Sequence, residues 1–243
     1  MRVAAKTDTG QVRQMNEDCY SVGELPNGMV WAVICDGMGG AAGGNIASQT
    51  AVKLISESIS ASYQEQMSSR SIRNLLIAAV DNANMRIYDL SVANESLSGM
   101  GTTVVAALVA HHTVYIAHAG DSRAYIFAEQ RLLQLTKDHS VVQAMLDSGQ
   151  ITETEAKTHP RKNLITRALG VGESLDVDYC EEEFEPGDVL LICTDGLTNA
   201  VEPEQMQRTM QLAGFAACAE ALVALANENG GPDNITVVAI ANE

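Results

Sequence analysis

Residues 29 to 44, MVWAVICDGMGGAAGG, constrain the fold most: an uninterrupted apolar run, then an acid, then a cluster of glycines. A run rich in Val and Ile reads as a buried strand, which Asp36-Gly37 ends. A carboxylate at such a boundary is costly to bury unless positive charge meets it. Taken alone, Asp-Gly is a turn signal, with Gly supplying positive φ. The stretch Gly37-Met38-Gly39-Gly40-Ala41-Ala42 also fits the GxGxxA dinucleotide loop, with Glu57 at about the right distance. Context excludes that loop. Glu57 falls inside a helical pattern and not at the end of a second strand, and Asp36 would repel the pyrophosphate.

The pattern of apolar strand, acid and glycine recurs. Val114 to Ala117 is followed by Gly120-Asp121-Ser122-Arg123, Val189 to Cys193 by Thr194-Asp195-Gly196, and Gly230-Gly231-Pro232-Asp233-Asn234 precedes Ile235 to Ala241. Singly, each acid is a turn residue. Together, Asp36, Asp121, Asp195 and Asp233 are consistent with the ends of neighbouring strands, where they could converge. Converging carboxylates raise one another's pKa unless cations neutralise them. Carboxylate, carbonyl and water ligands select Mg²⁺ or Mn²⁺, and no Cys/His cluster offers zinc an alternative.

Between these sites the pattern reads as further strands and helices. Strands are expected at Arg2 to Thr7, Cys19 to Val22, Val104 to Ala110, Ala124 to Phe127 and Leu175 to Phe184, the last with acids alternating on its exposed side in its second half. A helix is expected from Asn45 to Tyr63 and another from near Ser71, with apolar residues spaced three and four apart. Further helices start at Pro203 and run from Gly214 to Asn229. His111-His112 reads as a turn. Residues 135–170 are less regular, with a capping box at Thr152-x-x-Glu155 and a stop at His159-Pro160. Such an insertion in a compact domain is more often a functional loop than filler.

With 243 residues the chain can bury a sizeable core as one domain. A net charge of −16 and an aromatic content of 4% argue against nucleic acid and anionic membranes, and that charge suits a protein that holds several divalent cations. The five cysteines form no CxxC pair and read as reduced core thiols. The opening MRVAAKTDTG lacks an apolar leader, and no apolar run is long enough to span a bilayer, so a cytoplasmic location is expected.

In chain order, RQMNED at 13–18, DGMGG at 36–40, GTT at 101–103, AGDSR at 119–123, LTKDHS at 135–140, ITRALG at 165–170, LLICTDGL at 190–197 and GGPDNITVV at 230–238 resemble the metal-dependent protein phosphatases of the PP2C type. The likeness covers nearly the whole chain and is greatest to the compact bacterial Ser/Thr phosphatases. It implies an α+β fold: a four-layer αββα sandwich of two antiparallel sheets flanked by helices, as a single domain over 1–243 with a flap at 137–167.

It also implies a site. Asp36 would bridge two Mn²⁺ or Mg²⁺ ions, the Gly37 carbonyl would hold the first, and Asp195 and Asp233 the second. Asp121 with Asp195 matches a third, weaker metal, and Glu17 and Asp18 match acids near the metals or their waters. Arg13 matches the phosphate-binding arginine, a role suited to a guanidinium fork. The implied reaction is hydrolysis of phosphoserine and phosphothreonine in proteins by a hydroxide bridging the metals, opposing a cognate Ser/Thr kinase, in a monomer. A catalytically weak phosphoprotein-binding module is the alternative from another class, and a two-metal nuclease is disfavoured by charge and motif order.

Three positions depart from the family pattern. Met38 stands where animal relatives carry a His proposed as general acid, and Ala41 and Asn45 stand where many bacterial relatives carry His and Glu. His139 and His159 are candidates for proton transfer, with structural roles expected for both.

Overall fold

The computed structural model describes residues 1–110 and 112–242, with only the backbone described at 40–42. The elements run β1 (Arg2–Asp8), β2 (Cys19–Leu25), β3 (Met29–Cys35), β4 (Gly37–Met38), α1 (Gly40–Ser62), α2 (Ser69–Ala93), β5 (Gly101–Thr102), β6 (Val104–Ala110) and β7 (Thr113–Ala119). They continue with β8 (Arg123–Ala128), β9 (Arg131–Gln134), α3 (Val141–Asp147), α4 (Glu153–Thr158), β10 (Asp178–Glu183), β11 (Val189–Cys193), α5 (Asp195–Thr198), α6 (Pro203–Ala213), α7 (Phe215–Glu228) and β12 (Ile235–Ala241).

Two antiparallel five-stranded sheets result, ordered β1-β12-β11-β8-β9 and β10-β7-β6-β3-β2. Side chains alternate across a strand, so a strand with both faces covered must be apolar throughout. β3 shows this: Val30, Ala32 and Ile34 join the core between the sheets, while Trp31, Val33 and Cys35 pack under α1 and α2. β12 divides likewise, with Val238 and Ile240 between the sheets and Ile235, Val237 and Ala239 packed with α6 and α7 residues such as Met206 and Leu222. Three apolar layers therefore separate helices, sheet, sheet and helices, the expected αββα sandwich.

The long helices bury the expected stripes, Ala47, Ala51, Ile55 and Ile59 on α1 and Ile72, Leu76, Ala79, Val80, Ala83 and Ile87 on α2. Several boundaries differ from expectation. α1 starts at Gly40, five residues before the expected start at Asn45, because Gly39 at φ 120° turns the chain directly into the helix. Glu57 accordingly lies within α1.

Glu181, Glu182 and Glu183 on β10 are all exposed and do not alternate, since this strand edges its sheet and neither face is fully covered. All five cysteines are free, but only Cys35, Cys193 and Cys218 are buried, and Cys19 and Cys180 are half-buried. Of the expected His111-His112 turn, His111 lies outside the described residues, and His112 adopts φ 65°. In the irregular stretch, Thr152 and Glu155 form the expected capping box of α4, which ends at His159.

Candidate active site

The sheet order brings the C-terminal ends of β3, β7 and β11 and the N-terminal end of β12 to one end of the sandwich. A cleft of about 390 Å³ opens there, lined by Arg13, Glu17, Asp36, Gly37, Asp121, Asp195 and Asp233. Seven of the eight residues singled out in the sequence thus line one cavity. The eighth, Asp18, lies beneath it, only 8% exposed.

Buried hydroxyls and amides fix these groups. The backbone of Asp36 is held on both sides: its N–H donates to Thr103 Oγ1 at 3.0 Å, and its carbonyl accepts from Thr103 N at 2.9 Å and Thr102 Oγ1 at 2.7 Å. Thr103 Oγ1 in turn meets Ser122 Oγ at 2.7 Å, tying the Asp36 segment to the Asp121 turn. Gly37 permits a close crossing that no other residue could, since a Cβ there would lie 2.2 Å from the Gly44 carbonyl oxygen and 2.7 Å from that of Glu17.

Asn234 organises the opposite wall. Its Oδ1 accepts from Glu17 N at 2.8 Å, and its Nδ2 donates to the carbonyls of Thr9 and Met15, each at 2.9 Å. One buried amide thereby holds the loop that carries Arg13 and Glu17 against Asp233. Asp18 Oδ2 accepts from Thr236 Oγ1 at 2.7 Å and Thr194 Oγ1 at 2.9 Å. Arg13 Nη2 reaches Asp233 Oδ2 at 2.8 Å from a half-exposed position.

The electrostatics are those of acids without enough countercharge. Loss of hydration, reinforced by Asp18, Asp195, Asp121 and Asp233, holds the Asp36 carboxyl well above the usual carboxylate range. Burial pushes Asp121 up to about 8, with Asp195 adding to it, and Asp18 up to about 7 despite its two threonine donors. Asp195 is raised by burial and by Asp233, and accepts a hydrogen bond from Asp36.

These residues fit divalent cations. Besides the crowded carboxyls, Glu17 Oε1 and Asp18 Oδ1 are buried with no hydrogen-bond partner among the described residues. Oxygens left in that state destabilise the fold unless something positive meets them, and an all-oxygen donor set is what Mg²⁺ and Mn²⁺ prefer.

Sequence patterns did not point to Thr103, Asn163, Ile165 and Asn234, which also line the cleft. Thr103 and Asn234 stand inside the GTT and GGPDN motifs, and their adjacency to the acids is the available signal. Ile165 opens the ITRALG motif, whereas Asn163, in the irregular stretch, carries none. Neither candidate histidine lines the cleft. His139 Nδ1 accepts from Gly120 N at 3.1 Å, and His159 Nδ1 accepts from Arg161 N at 3.1 Å, so both serve backbone geometry.

The family model for protein phosphatase 2C matches residues 9–235. The serine/threonine phosphatase stp of Listeria monocytogenes is 37% identical over 247 residues, covering 100% of this chain and 96% of that protein. The serine/threonine protein phosphatase PstP of Mycobacterium tuberculosis is 37% identical over 238 residues, covering 98% of this chain and 44% of that longer protein. Among solved structures, a serine/threonine phosphatase from S. agalactiae superposes with a TM-score of 0.93 at 33% identity, covering 100% of this chain and 99% of that one. The catalytic domain of PstP, in complex with two manganese ions, superposes with a TM-score of 0.86 at 36% identity, covering 98% and 96%. With its fold, its motif order and its acid-lined cleft accounted for together, the chain belongs to the protein phosphatase 2C family.

Proposed function

We propose that the carboxylate cleft is the active site of a Mn²⁺- or Mg²⁺-dependent phosphatase that hydrolyses phosphoserine and phosphothreonine in proteins. The observation that carries this reading is a set of crowded acids with too little countercharge, in which Glu17 Oε1 and Asp18 Oδ1 have no partner among the described residues. Asp36 and the Gly37 carbonyl would hold the first ion, and Asp36, Asp195 and Asp233 the second. Asp121 with Asp195 would take a third, and Glu17 and Asp18 would hold the ions or their waters. When bound, the ions supply the positive charge that lets water attack phosphorus near neutral pH.

The chain's own groups do the rest. Thr102 and Thr103 fix the Asp36 backbone, so the carboxylate does not have to reorganise during the reaction. Arg13 keeps its charge beside Asp233 and lines the cleft, where its guanidinium would pair with phosphoryl oxygens. Asn234 maintains the loop that aims it. Met38 carries no transferable proton, so the departing alkoxide takes its proton from water or from another group in the cleft.

The substrates are phosphorylated proteins, and the natural counterpart is a Ser/Thr kinase acting on the same proteins. A monomeric cytoplasmic enzyme, built as a single domain with residues 137–167 as a substrate-contacting flap, fits this reading. No helix among the described residues is long and apolar enough to cross a membrane.

The test is hydrolysis of a phosphothreonine peptide with Mn²⁺ and with EDTA. Turnover with the metal and none with the chelator is expected. Metal-independent turnover, or none under either condition, would overturn the proposal.

A further inference from the structure

Met38 and Ile165 form a shared wall between the carboxylate cleft and a second cavity of about 290 Å³. Ala168, Val171 and Leu175 extend its apolar surface, and Arg167 and Asp176 belong to its polar lining. Three segments are laid side by side to make the wall. β4 pairs with β5, and Thr102 exchanges backbone hydrogen bonds with Leu169 at 3.1 and 2.8 Å.

The space depends on a missing side chain. A Cβ at Gly101 would lie 2.8 Å from the Leu169 carbonyl oxygen, 2.9 Å from Met38 Cε and 3.1 Å from Val171 Cγ2, driving both apolar side chains out of place. The cavity is also braced from behind. Asn84 of α2, 2% exposed, accepts from Gly170 N at 2.8 Å and donates to the carbonyls of Gly172 and Glu173 at 3.0 and 3.2 Å. That brace holds Val171 at the cavity, 60% exposed.

Charge selects what could enter. Arg167 is already neutralised by Asp178 Oδ1 at 2.7 Å, and Asp176 is exposed in a chain of net charge −16. The cavity therefore favours an apolar side chain and repels an acidic one. Its occupant follows from its continuity with the cleft. A protein substrate whose phosphate lies against the acids must continue away from them, at about 3.3–3.6 Å per extended residue. A residue within roughly four positions of the phosphorylated one can then reach over Met38 and Ile165.

We propose that this cavity is a substrate subsite that takes an aliphatic side chain from the polypeptide flanking the phosphorylated residue. This rests on the phosphatase reading above. Met38 then acts as a partition, shaping the passage from catalytic cleft to subsite.

The test uses the Mn²⁺-loaded protein and phosphothreonine peptides that differ only in carrying Leu, Ala or Glu at one flanking position, scanned on both sides. At one position kcat/KM for Leu should exceed that for Ala roughly 10-fold, with Glu below Ala. Val171→Asp should bring the Leu/Ala ratio at that position close to unity and leave the ratios elsewhere as they were, and Val171→Ser should do so in part. Leu/Ala ratios near unity at every position, or a preference that both variants retain, would overturn the subsite while peptide hydrolysis continued. Failure to hydrolyse any peptide would instead overturn the phosphatase reading, and the subsite with it.

Discussion

Two clusters of titratable side chains occupy the same end of the sandwich and resolve their charge in opposite ways. In the cleft, Asp36, Asp121 and Asp195 crowd together above Asp18, and Arg13 pairs with Asp233 at the rim. Behind it, His118, His139 and Asp178 bring potential ligand atoms within 4.8 Å of one another, a grouping that by residue type could hold a metal. Those atoms are already engaged. His139 Nδ1 accepts the Gly120 N–H, so the proton of the neutral ring sits on Nε2, 3.2 Å from Asp178 Oδ2. Arg167 donates to Asp178 Oδ1, and His118 Nε2 donates to the Lys137 carbonyl at 3.0 Å.

The two rings stack with centroids 4.6 Å apart, and burial lowers both pKa values, keeping them neutral. The lesson is that ligand chemistry alone does not make a metal site. Uncompensated charge does, and a cluster that contains its own cation has no need of another.

The contrast is broken most sharply at its centre. Asp36→Asn should lower kcat/KM on a phosphopeptide by at least about 10³-fold, the size expected when several kcal/mol of metal-derived stabilisation are lost. Circular dichroism should show the fold retained. A folded variant with near-normal turnover would remove Asp36 from the site.

A smaller effect should appear in stability. Asp36, Asp121 and Asp18 keep protons in the native state that the unfolded chain has already released, so unfolding free energy falls as pH rises. The lowered histidines act in the other direction, and only below about pH 6.5, their ordinary value. Between pH 6.5 and 8 the metal-free protein should therefore lose roughly 5–10 °C in Tm. Mn²⁺ should abolish the slope, which differential scanning fluorimetry in EDTA and in Mn²⁺ would read directly. An equal slope with and without metal would refute the account of uncompensated acids.

The smallest effect belongs to the second cluster. Asp178→Asn weakens a half-exposed ion pair of about 1 kcal/mol, a loss of about 2–4 °C in Tm. The Mn²⁺ concentration for half-maximal activity should change less than about 2-fold. If Asp178→Asn shifted it as Asp36→Asn does, the two clusters would not be separate.

Much of the architecture was legible in the residues because strands covered on both faces leave runs that allow no polar interruption. β6, β11 and β12 fall on the expected spans, and the Thr152 capping box and the helix from Pro203 follow from local chemistry. The acids were legible because each borders such a run. β4, β5, β9 and α5 were not, since they last two to four residues and two carry no period. A pair such as Gly37 with Thr102 exists only because distant segments meet. Local acid content marked Glu17 and Asp18 as polar, and only their surroundings showed oxygens buried without partners.

What the sequence by itself determined is the layering, the positions of Asp36, Asp121, Asp195 and Asp233 at strand ends, and the family. Tertiary structure alone decided how those acids are held and what lies beside them. Thr103 reaches back to Asp36, Asn234 to Thr9 and Met15, and Ile165 to Met38, across separations that no local pattern encodes. Apolar pattern belongs to a residue's near neighbours in the chain, whereas charge balance and cavity shape belong to its neighbours in space.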